Sequence, residues 1–234
     1  MRPFFFLLLL MISGTAFSQQ KSLQKSWIKT SVEELRETDP EPDTAYLRYE
    51  FDNTEVHISF HPGWNDYHQT WVTKGDKLRI GTATWKIEQL TDSTLTLVSY
   101  GFRRMNFLAE NYLNQKEEYL HELGEFNGKP LYQANRYITP RYKKKNLDED
   151  LRKQSLDDYN IHNARTLLMS FVVTEKGEIE NVKILKGIVE GYDQMLVEQL
   201  IKTSRMWRPA MYKNKPIQTQ LFYKIEFLDS IVEH

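Results

Sequence analysis

Residues 77–98 read KLRIGTATWKIEQLTDSTLTLV, and their alternation decides how the first half of the chain folds. Leu78, Ile80 and Thr82 fall on one side of an extended chain, and Trp85, Ile87 and Leu90 carry the run toward Thr91-Asp92-Ser93. A period of two, rich in β-branched and aromatic side chains, is the pattern of a strand with one face buried. The turn residues break the run, and residues 94–98 (TLTLV) resume it. Outward from there, residues 45–51 (AYLRYEF) and 55–60 (EVHISF) alternate on either side of Asp52-Asn53. His61-Pro62-Gly63 is a turn signal, residues 70–73 (TWVT) precede the turn Lys74-Gly75-Asp76, and residues 105–108 supply a last strand. Six or so short strands at this spacing predict an antiparallel meander or small barrel over residues 25–112.

The ends and the composition set the class of protein. Arg2 precedes nine unbroken apolar residues, Phe4 to Ile12, and then Ser13, Gly14, Thr15, Ala16, Phe17 and Ser18. Nine helical residues cover only about 14 Å, against roughly 30 Å of bilayer hydrocarbon. The pattern predicts a signal peptide over residues 1–18, cleaved after Ser18, and hence a periplasmic or secreted protein. A membrane-anchored form is the alternative if that segment is retained. Basic and acidic residues number 31 and 32, for a net charge of −1. Such a balance lacks the basic field that drives nucleic-acid binding. The chain contains no cysteine, which removes disulfides, thiolate nucleophiles and zinc–thiolate sites.

Past a charged stretch at residues 113–134, read as a linker, the pattern changes. Residues 165–173 (RTLLMSFVV) form a strand, Thr174-Glu175-Lys176-Gly177 a hairpin turn, and residues 179–185 (IENVKIL) the return strand. Leu196, Leu200 and Ile201 then recur at helical spacing behind Asp193, which has the chemistry of an N-cap. Pro209 ends that helix, and Asn214-Lys215-Pro216 turns the chain into a final strand over residues 219–227. Strand, strand, helix, strand is the expected order, giving an α+β chain as a whole.

Two resemblances follow from these residues. The stretch 77–98, with its L-x-I-G strand followed by W-x-I-x-x-L-T-D-x-x-L-x-L, resembles bacterial lipocalin-like domains. In residues 135–228, the parts Phe171-Val172-Val173, Val182 to Gly187, Asp193, Trp207-Arg208-Pro209-Ala210 and Asn214-Lys215-Pro216 resemble the C-terminal domain of TonB proteins. That second resemblance implies a β-β-α-β fold that binds an envelope protein, such as a TonB-dependent receptor of the outer membrane, by β-strand addition along the last strand. The implied contacts are Gln218, Gln220, Phe222 and Lys224, with a homodimer through the same edge as the competing use. Backbone groups supply affinity in strand addition, so no special side-chain chemistry is demanded. A membrane-anchored energy transducer of the same family and small-ligand binding in the lipocalin-like half are the alternatives.

No constellation compels an enzyme, a cofactor or a metal. His57, His61 and His68 lie within twelve residues of one another, close to Asp66. Along one strand His57 and His61 would stand about 13 Å apart, too far for one ion with ligands near 2 Å. A turn at Pro62-Gly63 could bring His68 back beside one of them, but the reading here is surface histidines. His121-Glu122-Leu123-Gly124-Glu125 lacks the second histidine of a zinc-protease helix. There is no G-x-S-x-G elbow and no Gly-rich phosphate loop. Trp207 and Pro209 are read as core and helix-stop residues.

Overall fold

The computed structural model describes residues 20–36, 44–99, 101–144, 146–152 and 165–227. The expected signal segment lies outside them. The chain divides into two units, one of residues 1–61 and 66–113, the other of residues 62–65 and 114–234.

The first unit is a closed barrel of eight antiparallel strands in sequence order. These are β1 (Ser26–Glu34), β2 (Arg48–Phe51), β3 (Glu55–Ser59), β4 (Asp66–Lys74), β5 (Lys77–Ile80), β6 (Ala83–Leu90), β7 (Thr94–Ser99) and β8 (Arg103–Ala109). The expected meander is thereby extended by two strands and closed. β1 escapes a pattern search because its register shifts between Lys29 and Ser31, which breaks the alternation. β5 and β6 read as one run because only Gly81 and Thr82 separate the paired Ile80 and Ala83. Gly81 adopts φ +54°, a left-handed conformation that costs glycine little.

A core of large side chains fills the barrel. Trp27, Leu78, Leu95 and Leu97 are wholly buried, and Tyr49 stacks on Phe107 at 5.3 Å between ring centroids. Phe51 meets Trp71 edge-on at 5.0 Å. A helical turn over residues 20–23 brings in Leu23, whose carbonyl accepts from Trp27 Nε1 at 3.0 Å. Arg48 is also buried, and burial works against its charge. Glu110, in the short helix α1 (Glu110–Leu113), and Glu50 outweigh that penalty and raise its pKa. Arg48 Nη2 donates to Glu110 at 2.7 Å and to Ser26 Oγ at 2.8 Å.

The second unit is built on a six-stranded sheet. Its order is β13 (Ile179–Lys186), β12 (Arg165–Val173), β16 (Lys215–Phe227), β10 (Lys129–Gln133), β9 (Glu122–Phe126), with β15 (Ala210–Tyr212) pairing β16 off that path. β10 runs parallel to β16, whereas β12 runs antiparallel to it. β11 (Arg141–Tyr142) and β14 (Trp207–Arg208) form a separate ribbon. The helices are α2 (Leu147–Leu151) and α3 (Glu190–Lys202), with a 3-10 turn at Glu117–Tyr119.

These observations correct the expected fold class. Strands dominate both units, so the chain is mainly β with a closed lipocalin-like barrel, and the α+β, TonB-like architecture does not describe it. The stretch read as a linker contains the β9–β10 hairpin. β9 is exposed along most of its length, so it joins the sheet through backbone pairing without any apolar alternation to announce it. The helix also starts earlier than expected, at Glu190. Asp193 lies inside it and reaches back to accept from the Ile188 N–H at 3.0 Å. It ends at Lys202, well before Pro209, and Thr203 Oγ1 closes it by donating to the Leu200 carbonyl at 2.6 Å.

Trp207 is the centre of the second core. It is fully buried, donates from Nε1 to Thr203 Oγ1 at 3.0 Å, and meets Tyr142 and Phe171 at 5.3 and 5.6 Å. Trp64, from the segment 62–65, packs in the same core beside Tyr223 at 5.3 Å. The Tyr223 hydroxyl donates to Asp148, which also accepts from Asn65 Nδ2 at 3.0 Å. Burial first, then that hydrogen bond, holds the Tyr223 phenol well above its ordinary pKa.

Two stability outcomes are expected. Gly177 adopts φ +75°, and a Cβ there would meet the Trp207 carbonyl oxygen at 2.2 Å. Gly177→Ala therefore forces backbone movement and should cost at least ~1–3 kcal/mol in urea unfolding. Glu110→Gln leaves the buried Arg48 charge without its main partner and should cost about 3 kcal/mol. The exposed Val72→Ala, by contrast, should stay within about 0.5 kcal/mol.

Candidate functional site

Residues that oppose one another in an antiparallel register share a face of the sheet. Trp27, Tyr49, Ile58 and Tyr67 are paired in succession across β1, β2, β3 and β4 and form one inward row. Along that row exposure rises from 0% at Trp27 and 6% at Tyr49, through a partly buried Ile58, to 58% at Tyr67. Two neighbouring rows behave alike. Phe51 and Val56 are buried, and their row partner Gln69 is exposed. Trp71 and Ile80 are buried, and Ala83 is exposed.

The inward face thus opens to solvent at one end of the barrel. Tyr67, Gln69, Ala83 and the partly buried Ile58 and Trp85 line that opening. Phe60, 61% exposed, packs edge-on to Tyr67 at 5.9 Å and extends the aromatic wall. Gln69 lies over Gly81, where a Cβ would meet its Oε1 at 2.7 Å. The glycine therefore serves both the two-residue turn and the seating of the one amide among these side chains. None of these six side chains carries a charge at neutral pH. Deeper in, burial pushes the Tyr49 phenol up to about 12.

The four residues expected to bind a partner sit on β16. Gln218 is buried, and its Nε2 donates to the carbonyls of Phe126 and Lys129, both at 2.9 Å. β10 pairs with Gln218, Thr219 and Gln220, while β12 takes the other side of the strand from Thr219 onward. The backbone groups at Gln218 and Gln220 that a partner strand would use are thus engaged by the chain itself. Phe222 is 46% exposed, and Lys224 pairs with Glu226. Sequence reading missed this arrangement because β10 carries no pattern distinguishing it from a linker.

Two of the histidines come together on the surface of the barrel. His57 and His68 are direct cross-strand partners on the outer face of β3 and β4. Their rings stack at 4.0 Å between centroids, 29° apart. Glu55 shares the face two residues before His57, and its carboxylate lies 3.5 Å from His68 Nδ1. Asp52 lies 3.8 Å from His57 Nε2. His61 is not part of the group. The turn at Pro62-Gly63 was the available signal, but pairing Ser59 with Asp66 is what fixes the register.

No family model matches the chain, and no curated protein does. Two solved structures are similar to part of the chain. A lipocalin-like protein from Bacteroides uniformis is 17% identical, with 38% of this chain and 98% of that one covered and a TM-score of 0.33. An uncharacterized protein from Bacteroides eggerthii is 14% identical, with 36% and 97% covered and a TM-score of 0.32. The assignment of a lipocalin-like barrel rests on the strand order and closure of this chain.

The Tyr49 environment has a pH consequence. A phenol whose folded pKa exceeds its unfolded value keeps its proton longer in the native state. Its contribution is therefore complete below about pH 10 and is lost as pH rises through about 12. Barrel stability should fall by on the order of 1 kcal/mol per pH unit across that window. Tyr49→Phe should flatten the fall when followed by urea melts monitored through the barrel tryptophans.

Proposed function

We propose that this chain is an exported, non-enzymatic binding protein whose barrel mouth takes a small, uncharged apolar or aromatic molecule. The observation that carries the reading is the burial gradient along the inward rows, from Trp27 at 0% to Tyr67 at 58%. Below that level the interior is occupied by the Tyr49–Phe107 stack and its neighbours. A ligand would therefore rest on this aromatic floor, against Ile58, Tyr67 and Trp85, rather than in a deep cavity. Apolar walls with a single well-placed amide are the usual makeup of a small-molecule site. Covering about 150–200 Å² of apolar surface contributes roughly 4–5 kcal/mol, before the cost of association. The export part of the reading is supported by the apolar run Phe4 to Ile12 and the small residues after it.

The test is a titration of the full mature chain with N-phenyl-1-naphthylamine, an uncharged apolar probe that fluoresces when shielded from water. A saturable rise with one site per chain is expected. Tyr67→Asp and Trp85→Ala should each weaken it at least about ten-fold, a loss of some 1.4 kcal/mol, with the far-ultraviolet circular dichroism unchanged. A rise that does not saturate, or one equal in both variants, would refute the reading.

A further inference from the structure

The outer face of the same barrel carries a group of side chains that ligand binding at the mouth does not use. Glu55, His57 and His68 each offer one ligand atom, and these atoms all lie within 4.8 Å of one another. We propose that Glu55, His57 and His68, with Asp52 beside them, form a surface site for a zinc-class divalent ion.

Three features favour an ion over a chance meeting of exposed groups. The first is the backbone. His57 and His68 are fixed opposite each other by the register of β3 and β4, and Glu55 occupies the same face because strand side chains repeat every second residue. Three donors thus project from two hydrogen-bonded strands rather than from a loop. The second is the orientation of Asp52. Its Oδ1 accepts from the N–H groups of Thr54 and Glu55 at 2.8 and 2.6 Å, which turns Oδ2 toward His57. The third is charge. Glu50, the register partner of His57 on its other side, adds a further carboxylate to the neighbourhood, one it shares with Arg48 Nη2 at 3.2 Å.

The donor set selects the ion. Two imidazoles with one or two carboxylates suit zinc and its borderline neighbours nickel and copper, whereas calcium and magnesium favour oxygen alone. A tetrahedral ion with bonds near 2.0–2.1 Å needs donors roughly 3.3 Å apart. Side-chain rotation that closes at most about 1.5 Å brings the present spacing, within 4.8 Å, to that value. The side chains of His57 and His68 are 31% and 37% exposed and those of Asp52 and Glu55 are 52% and 46% exposed, so they have the freedom to turn. Water completes the shell, since the site faces solvent.

The experiment is calorimetric titration of tag-free, chelator-stripped mature chain with zinc chloride, alongside proton–carbon spectra of the histidine rings. One zinc per chain is expected, with the ring signals of two histidines shifting together. His57→Ala and His68→Ala should each lower the affinity by about ten-fold or more, the loss being larger than for Asp52→Asn. Both histidines are partly exposed, so the variants should keep the wild-type circular dichroism, and that is checked first. If the His57→Ala/His68→Ala double variant binds zinc as the wild type does, other histidines are responsible and the site is refuted. Absence of any binding at submillimolar zinc refutes it equally. Neither outcome touches the barrel mouth, whose titration uses a metal-free probe.

Discussion

Everything in the first unit depends on the double pairing of β1. Its first residues bond to β2, and from Trp27 to Glu34 it also bonds to β8. A sheet of eight strands left open would present two edges of unpaired N–H and C=O groups to solvent or to other chains. Closure removes both. It also obliges the strands to tilt and stagger. Stagger is why a single inward row, followed around the barrel, passes from the sealed interior at Trp27 to solvent at Tyr67. The mouth is a geometric consequence of closure and not an extra element. The helical turn over residues 20–23, with Leu23 wholly buried, joins the packed core rather than the opening.

The seam between β1 and β8 carries ion pairs, Glu33 with Arg104 at 2.7 Å on the outer face and, one register step on and so on the opposite face, Glu34 with Arg103 at 2.6 Å. Arg104 also grips Glu88 on β6 at 2.6 Å. Such solvent-exposed pairs contribute little each, so the ladder and the buried core hold the seam. Arg48 is a different case, because its charge is sealed from water and its partners are obligatory. The second unit follows the same division. Its sheet edge at Gln218 to Gln220 is capped by β10, and Gln218 spends its side-chain donors on Phe126 and Lys129. An edge so capped serves the stability of the sheet at those positions.

A large part of the barrel was legible in the sequence. The residues 45–51, 55–60, 70–73 and 94–98 lie in or overlap β2, β3, β4 and β7. What escaped did so for identifiable reasons. A register shift in β1 hid its period, a two-residue turn hid the β5–β6 junction, and β9 has nearly no buried face to show. The resemblance carried by Trp207, Pro209 and the strands near them led to an α+β layer. The sheet order instead depends on which distant strand pairs beside β16, and local motifs are silent on that point.

Alternation, turn chemistry, the absence of cysteine and the near balance of charge are properties of the sequence by itself. They determined that this chain builds sheets with aromatic cores, without disulfide or thiolate chemistry. Closure, the burial gradient toward Tyr67, the capping of β16 by β10 and the stacking of His57 on His68 were decided by the tertiary structure alone. The reason is physical: hydrophobic periodicity records which face of a strand is buried. It holds no record of which strand lies alongside or of the register between them, and every one of those four features is a matter of partner and register.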